Sequence, residues 1–345
     1  MVGGYWRIDV YHNESVACFD VFFNTIVGLS LTSSCFDQTH WNIMSLQKSM
    51  SFLSDVSGGS AYDSSLRLYM TAPFSGFPSA YSTLVEVLRW RAFHQPDQLA
   101  YAFLLDGETE EARLTYAELD RRARAIAAQI QSLRAHGERV LLVYPPGLEF
   151  VAGFFGCLYA GVVAIPVYPP LPSRLDRTLP RFRAILHDAR PVAALTSSRF
   201  LSLLEPMFSQ AFDVQALHWL ATDSVASNLA ESWQEPALSS DSLAFLQYTS
   251  GSTAAPRGVM LTHGNLLHNL ALLQRSFEIT PETRGLFWLP LYHDSGLIGC
   301  VLEPLYGGCT STLISPMVFL QRPFRWLQAI SRMRATCSGA PNFAY

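Results

Sequence analysis

Hydrophobic and polar positions from Ser79 onward follow the two periods that helices and strands impose. Short unbroken apolar runs over 140–144 and 162–167 predict two buried strands, and the apolar segment 148–160 between them predicts a helix. A strand, a helix and a strand joined by short loops indicate a parallel crossover unit. Behind a capping box of Thr115 and Glu118, helical spacing predicts an amphipathic helix through Leu119, Ala123, Ile126, Ala127, Ile130 and Leu133.

The same alternation continues along the chain. We predict a hairpin around Asp106-Gly107. We further predict helices over 81–94, 179–188, 263–277, 296–306 and 323–332, and strands over 192–196, 243–248, 286–289 and 310–314. The pattern therefore predicts an α/β fold, layered, with mostly parallel sheets and flanking helices. Residues 1–78 keep neither period for long, so we expect a poorly ordered extension of unknown role before a domain over 79–345.

One uncharged segment, Phe150–Tyr168, is long enough to span a bilayer. Gly161 and Pro166 interrupt it, so a buried helix, a glycine stop and a buried strand explain it better than a membrane span. We expect no membrane span.

Composition narrows the class of protein. A hydrophobic content of 49% in 345 residues is enough for a sizeable core, and a net charge of −4 argues against a general nucleic-acid binder. The six cysteines show no C-x-x-C spacing and no zinc-like cluster, which indicates free thiols in a reducing compartment, the cytoplasm.

A hydroxyl-rich segment follows the predicted strand over 243–248 and is the first candidate for chemistry. It reads Tyr248-Thr249-Ser250-Gly251-Ser252-Thr253-Ala254-Ala255-Pro256-Arg257-Gly258. Backbone N–H groups and hydroxyls in such a loop suit phosphate oxygens, and a guanidinium binds phosphate with two hydrogen bonds. The composition fits a polar surface loop equally well. The spacing matches neither a Walker loop nor a dinucleotide fingerprint.

A second segment, Leu289–Gly299, also leaves a predicted strand and enters an apolar helix. His293 and Asp294 occupy the turn, where parallel sheets place their ligands. The alternative is that Asp294 or Ser295 simply caps the helix. A Ser/His/Asp hydrolase does not fit, because the chain has no G-x-S-x-G elbow.

Together these segments resemble the adenylate-forming enzymes, and more narrowly the fatty acyl-AMP ligases. The resemblance rests on segments in a fixed order, namely 246–253, 289–299, 303–306, 315–323 and 338–345. It covers about residues 79–345 and does not extend to 1–78.

The resemblance implies a ligase that uses ATP and Mg²⁺ to activate a fatty acid as its acyl-adenylate. The acyl group would pass to an acyl carrier protein or a polyketide synthase module, in lipid or polyketide biosynthesis. His293 would lie beside the acyl-adenylate as the catalytic residue, and Val301, Leu302 and Leu305 would line part of the fatty-acid tunnel, unless they are ordinary core. The implied nucleotide-binding residues are Thr249, Ser250, Gly251, Ser252, Thr253, Arg257 and Gly258.

Three residues depart from the family pattern. In the second half of the phosphate loop, where Gly-x-Pro-Lys-Gly is usual, Ala254 replaces the first glycine and Arg257 replaces the lysine, and Ser295 replaces the usual methionine. Family members continue past this length with an adenine-binding segment, a Mg²⁺-binding Glu, a ribose-binding Asp and a mobile C-terminal domain that carries a catalytic lysine. The only lysine in this chain is Lys48. The resemblance therefore implies an incomplete N-terminal domain that is inactive alone.

Two alternatives stay open at this point. An acyl-CoA ligase would use the same motifs with CoA as the acceptor. A non-catalytic nucleotide- or acyl-binding remnant would keep the fold without the reaction.

Overall fold

The computed structural model describes residues 81–170, 174–208, 212–249 and 256–345. The strands are β1 (Leu99–Leu104), β2 (Glu110–Thr115), β3 (Arg139–Leu142), β4 (Val163–Pro166), β5 (Ala193–Thr196), β6 (His218–Ala221), β7 (Leu243–Thr249), β8 (Arg257–Thr262), β9 (Arg284–Phe287) and β10 (Thr310–Ile314). The helices are α1 (Leu84–His94), α2 (Tyr116–Gln131), α3 (Leu148–Ala160), α4 (Leu175–Ala189), α5 (Ser198–Phe208), α6 (Phe212–Gln215), α7 (His263–Ser276), α8 (Glu303–Gly307), α9 (Pro316–Gln321) and α10 (Phe324–Met333). A π-helix covers Ser295–Leu302, and 3-10 turns cover Thr222–Ser224, Ser227–Ser232 and Asn342–Ala344.

The strands form two sheets. The four-stranded sheet has the order β2-β1-β10-β9, and the six-stranded sheet has the order β6-β5-β3-β4-β7-β8. Neighbouring strands are parallel except in two pairs, β1 with β2 and β7 with β8. The fold is therefore α/β with mostly parallel sheets and flanking helices, which confirms the predicted fold class.

The apolar helix α3 forms the centre of the core. Glu149 is its only residue that is not buried, and the helix contacts strands of both sheets. Phe154 packs edge-on against Phe245 of β7, with ring centroids 5.7 Å apart. Gly161 ends α3 in the left-handed conformation at φ +71°, which glycine adopts without steric cost. The predicted helix, stop and buried strand over 150–168 are confirmed.

No helix in the described ranges combines the length and the apolar character that a membrane crossing requires.

Local signals set several element boundaries. The predicted capping box is present, because the Thr115 hydroxyl accepts a hydrogen bond from the Glu118 N–H and the Glu118 carboxylate accepts one from the Thr115 N–H. Helix α1 begins at Leu84 rather than at 81, since the Thr83 side chain caps it by accepting from the Glu86 N–H. Strand β9 begins two residues earlier than predicted. The prediction for residues 1–78 concerns residues outside the described ranges.

Four cysteines in the described part of the chain are free thiols, as predicted: Cys157, Cys300, Cys309 and Cys337. Burial raises the pKa of each thiol, so all four are protonated near neutral pH. Cys18 and Cys35 lie outside the described residues.

Candidate functional site

The two ends of the hydroxyl-rich segment face each other across a hairpin. Thr249 ends β7 and Arg257 begins β8, and these two residues are partners in the antiparallel register. The sequence analysis placed Arg257 and Gly258 in a loop, and the structure corrects this because both belong to β8. Arg257 is exposed, so its guanidinium is accessible to an anion at this edge. Ser250, Gly251, Ser252 and Thr253 lie outside the described residues, and their assignment stays a prediction.

Tyr248 fixes the base of this hairpin. Its hydroxyl donates a hydrogen bond of 2.5 Å to the carboxylate of Asp188 on α4, and burial together with this contact raises the pKa of the phenol. The Tyr248 ring lies against Gly258, its partner on β8, where an added Cβ would come within 3.0 Å of Cζ. A side chain at position 258 would therefore require the Tyr248 ring to move by a few tenths of an ångström.

The segment that carries His293 contacts both β7 and the chain that follows β4. The Gln247 amide donates a hydrogen bond of 3.0 Å to the Tyr292 carbonyl oxygen. The Tyr292 ring packs edge-on against Tyr168, which follows β4, with centroids 5.2 Å apart. Since β4 and β7 are parallel neighbours, these contacts place His293 at the carboxyl edge where β7 ends. The structure thus pairs Thr249 with Arg257 and joins the residue before His293 to β7 through Gln247. Their assignment to one functional site stays a prediction.

The imidazole of His293 has no side-chain hydrogen bond within the described ranges, so both ring nitrogens are available. His293 is exposed, but the protein around its ring removes part of the ring's hydration, and this desolvation lowers the pKa of the imidazole. The charge of Asp294 opposes this shift, and the charge of Arg181 adds to it. The lowered pKa keeps the ring neutral at neutral pH. In this form one ring nitrogen donates a hydrogen bond and the other accepts one.

Asp294 caps the helix that follows, which was one of the two readings of the sequence. Its carboxylate accepts a hydrogen bond of 2.7 Å from the Ser295 N–H. The helix begins as a π-helix, and Gly296 lies so close to the preceding segment that an added Cβ would overlap the carbonyl oxygen of Pro290. π-helical turns inside longer helices occur frequently at functional sites.

Glu303 is a candidate functional residue, by its buried carboxyl group, that the sequence analysis did not single out. Glu303 is 5% exposed, and neither of its carboxyl oxygens has a hydrogen-bond partner among the described residues. Burial raises its pKa to about 9, so the carboxyl is protonated at neutral pH. The signal was present in the sequence, because Glu303 is the only charged residue between Ser295 and Leu305. Val301, Leu302 and Leu305 around it are fully buried, as ordinary core residues are.

A metal site is not evident in this part of the molecule. The described residues include no group of three or more His, Cys, Asp or Glu side chains that could hold a metal ion.

Known proteins resemble this chain over the same region. The family of AMP-binding enzymes matches residues 88–344. The medium-chain-fatty-acid–[acyl-carrier-protein] ligase JamA of Moorena producens is 47% identical over 266 residues, which cover 77% of this chain and 45% of JamA. The long-chain-fatty-acid–AMP ligase FadD32 of Mycolicibacterium smegmatis is 37% identical over 279 residues, or 78% of this chain and 43% of FadD32.

Solved structures give the same result. The fatty acyl-adenylate ligase from L. pneumophila, in complex with acyl adenylate and pyrophosphate, matches with a TM-score of 0.70 and 44% identity, over 76% of this chain and 45% of that one. The chain spans less than half the length of the curated relatives it matches. The resemblance on which the sequence analysis relied is confirmed.

Proposed function

Because the chain belongs to the family of AMP-binding enzymes, we propose that it activates a fatty acid with ATP as part of a ligase. The product is the acyl-adenylate, and the acyl group then passes to an acyl carrier protein or a polyketide synthase module. Residues 79–345 supply the large N-terminal part of the adenylate-forming domain, and residues 1–78 are an extension outside it. The names of JamA and FadD32 support the fatty-acid substrate, and the name of JamA supports the carrier. The reducing cytoplasm is the compartment we expect.

One observation carries this proposal. Thr249 and Arg257 are register partners at the carboxyl end of β7, and Gln247 of the same strand is hydrogen-bonded to the segment that carries His293. In the reaction, a carboxylate oxygen attacks the α-phosphorus of ATP, the bond to pyrophosphate breaks, and a mixed anhydride forms. Catalysis of such a step is mainly positioning and stabilisation of charge on the phosphates.

The chain's own residues divide these roles. The hydroxyls and backbone N–H groups of 249–253 hold the β- and γ-phosphates, and Arg257 binds them as a guanidinium instead of a lysine. Neutral His293 lies beside the acyl carboxylate and donates a hydrogen bond that keeps the oxygen aimed at phosphorus. Phosphate binding and carboxylate positioning both need only hydrogen-bond donors, which the hydroxyls, the guanidinium and the imidazole at the end of β7 provide.

Mg²⁺ would supply positive charge to the phosphate oxygens, and by resemblance its Glu ligand lies beyond residue 345. The described residues include no group of three or more His, Cys, Asp or Glu side chains that could hold the ion. We therefore assign no step of this chain's residues to the metal. The lysine that stabilises the transition state in this family has no counterpart among residues 79–345, which contain no lysine.

The proposal is tested with a fusion protein that joins this chain to the C-terminal part of JamA that it does not match. Fatty-acid-dependent ATP–pyrophosphate exchange should appear in the fusion and be absent from the 345-residue chain. Combined Ser252→Ala and Thr253→Ala changes should abolish exchange, while Ser227→Ala, at an exposed serine elsewhere, should not. Full exchange in a folded double variant would contradict the phosphate-binding role.

The acceptor is tested separately. Mass spectrometry of the fusion with a carrier protein and with CoA should find acylated carrier and little acyl-CoA. Efficient formation of acyl-CoA would place the protein among the acyl-CoA ligases instead. Binding of nucleotide without exchange in the fusion would favour a non-catalytic remnant.

A further inference from the structure

Arg181 lies beside the end of β7. It belongs to α4, and its Nη2 atom lies 3.4 Å from the carbonyl oxygen of Tyr248, the residue before Thr249. The same helix holds the Tyr248 hydroxyl through Asp188, seven residues and about two turns later. Helix α4 therefore contacts Tyr248 at both its backbone carbonyl oxygen and its phenol hydroxyl, which places the Arg181 guanidinium near the end of β7.

Arg181 is one of several arginines in the described ranges for which no ion pair with a carboxylate is found there. Arg89, Arg122 and Arg124 each form an ion pair with a carboxylate, whereas Arg181 has no carboxylate partner among the described residues. Its one hydrogen bond there uses a single donor of the five that a guanidinium offers. The remaining donors are available to a ligand, and the residue is exposed.

The charge of Arg181 also acts on His293, in the second segment of the candidate site. It contributes to lowering the pKa of His293, so the guanidinium lies near both the end of β7 and the His293 segment. Arg257 begins β8 and is the register partner of Thr249. Asp294 is the acidic group near His293, and its carboxylate accepts a hydrogen bond from the Ser295 N–H. Two arginines without carboxylate partners among the described residues thus contact or pair with neighbouring residues at the end of one strand, an arrangement suited to a ligand with several negative charges.

We infer that Arg181 is a phosphate-positioning residue whose guanidinium binds the polyphosphate of the nucleotide with two hydrogen bonds, together with Arg257. This inference rests on the proposed function and adds to it a residue that the resemblance did not include. A polyphosphate suits the position better than an acyl carboxylate does, because Arg181 contacts the residue directly before Thr249. Binding there would restrain the phosphates from the side of α4 while Arg257 restrains them from β8.

The experiment titrates the full 345-residue chain with inorganic pyrophosphate by calorimetry at low ionic strength. Arg181→Met should weaken binding at least tenfold, and Arg181→Lys should restore part of the loss, since it keeps the charge without the bidentate geometry. Arg121→Met, an exposed position on α2, makes the same change in net charge and should bind as the wild type does. NMR titration should find a higher pKa for His293 in Arg181→Met than in Arg121→Met.

Each outcome decides between the claims. Equal pyrophosphate affinity in folded Arg181→Met and Arg121→Met would overturn the role of Arg181 and leave the proposed function standing. Absence of pyrophosphate binding by the wild-type chain would overturn the phosphate site of the proposed function and this inference with it. If Arg181→Met fails to fold, Arg181→Lys decides, because wild-type affinity in that variant would overturn the bidentate role.

Discussion

The side-chain amide of Gln247 donates a hydrogen bond to the carbonyl oxygen of Tyr292 over 3.0 Å, across 45 residues of sequence. Gln247 is buried on β7, and Tyr292 precedes His293, so this one contact joins the strand that leads to Thr249 with the segment of the catalytic candidate. The relative position of the two halves of the site therefore depends on it.

Gln247→Ala should destabilise the protein by about 1–3 kcal/mol, because it leaves the carbonyl of Tyr292 without its donor in a partly buried position. Urea unfolding measures the loss. Gln131→Ala is the matched control, since Gln131 donates to the carbonyl of Gln234 at the surface, where water can replace it. Equal losses of unfolding free energy in the two variants would show that the Gln247 hydrogen bond contributes no more than one at the surface.

Gly296 and Gly299 provide a second test within one π-helix. A Cβ at Gly296 would overlap the carbonyl of Pro290, whereas a Cβ at Gly299 would meet no atom within 4 Å. Gly296→Ala should displace the His293 segment and lower the thermal unfolding midpoint by several degrees, as expected for about 1–3 kcal/mol of overpacking. Gly299→Ala should unfold at or slightly above the wild-type temperature. The same midpoint in both variants would argue against the close approach at Gly296.

Gly258 and Tyr248 provide a third test. Gly258→Ala places a methyl group 3.0 Å from Cζ of a ring whose hydroxyl is bonded to Asp188, so the ring or β8 has to move by a few tenths of an ångström. We expect a loss of about 1–2 kcal/mol in urea unfolding. Tyr248→Leu in the same chain should reduce that loss, and a double-mutant cycle measures the coupling. Gly339→Ala, where a Cβ meets nothing within 4 Å, is the control. Additive changes at 248 and 258 would mean that the ring does not require glycine.

The sequence predicted those parts of the fold that local signals determine. The apolar run of α3, its stop at Gly161 and the capping box of Thr115 and Glu118 all carry their causes within a few neighbouring residues. Strand β8 was missed because it is an edge strand in which only Leu261 is buried, so it shows neither an apolar run nor alternation.

The site was predictable only in part. Thr249 and His293 were singled out because each follows a predicted strand, and Arg257 because it lies in the same hydroxyl-rich segment as Thr249. The contacts that join them were not, since Gln247 with Tyr292 and Arg181 with Tyr248 depend on strand order and helix placement, which no local pattern determines. Arg181 had no signal beyond its position in an Arg-rich helix.

Glu303 makes the stability of the protein depend on pH in a direction that can be derived. Its pKa is about 9 in the folded protein, against an ordinary value of 4.5. Below pH 4.5 the carboxyl is neutral in both states. Between these values the unfolded chain loses the proton and the folded chain keeps it, so stability falls as pH rises and the loss is complete above pH 9, at up to about 1.4 kcal/mol per pH unit.

Glu303→Gln removes this titration while keeping the size of the side chain. Between pH 5 and pH 8, the free energy of unfolding of Glu303→Gln should gain at least about 1.4 kcal/mol relative to the wild type. Urea unfolding at both pH values measures this gain, and the value at pH 5 controls for any difference in packing, because both side chains are then neutral when folded. Glu231→Gln, at an exposed glutamate, should show no such gain. If both variants show the same change with pH, the Glu303 carboxyl is ionised in the folded protein, and a partner outside the described residues must then stabilise its charge.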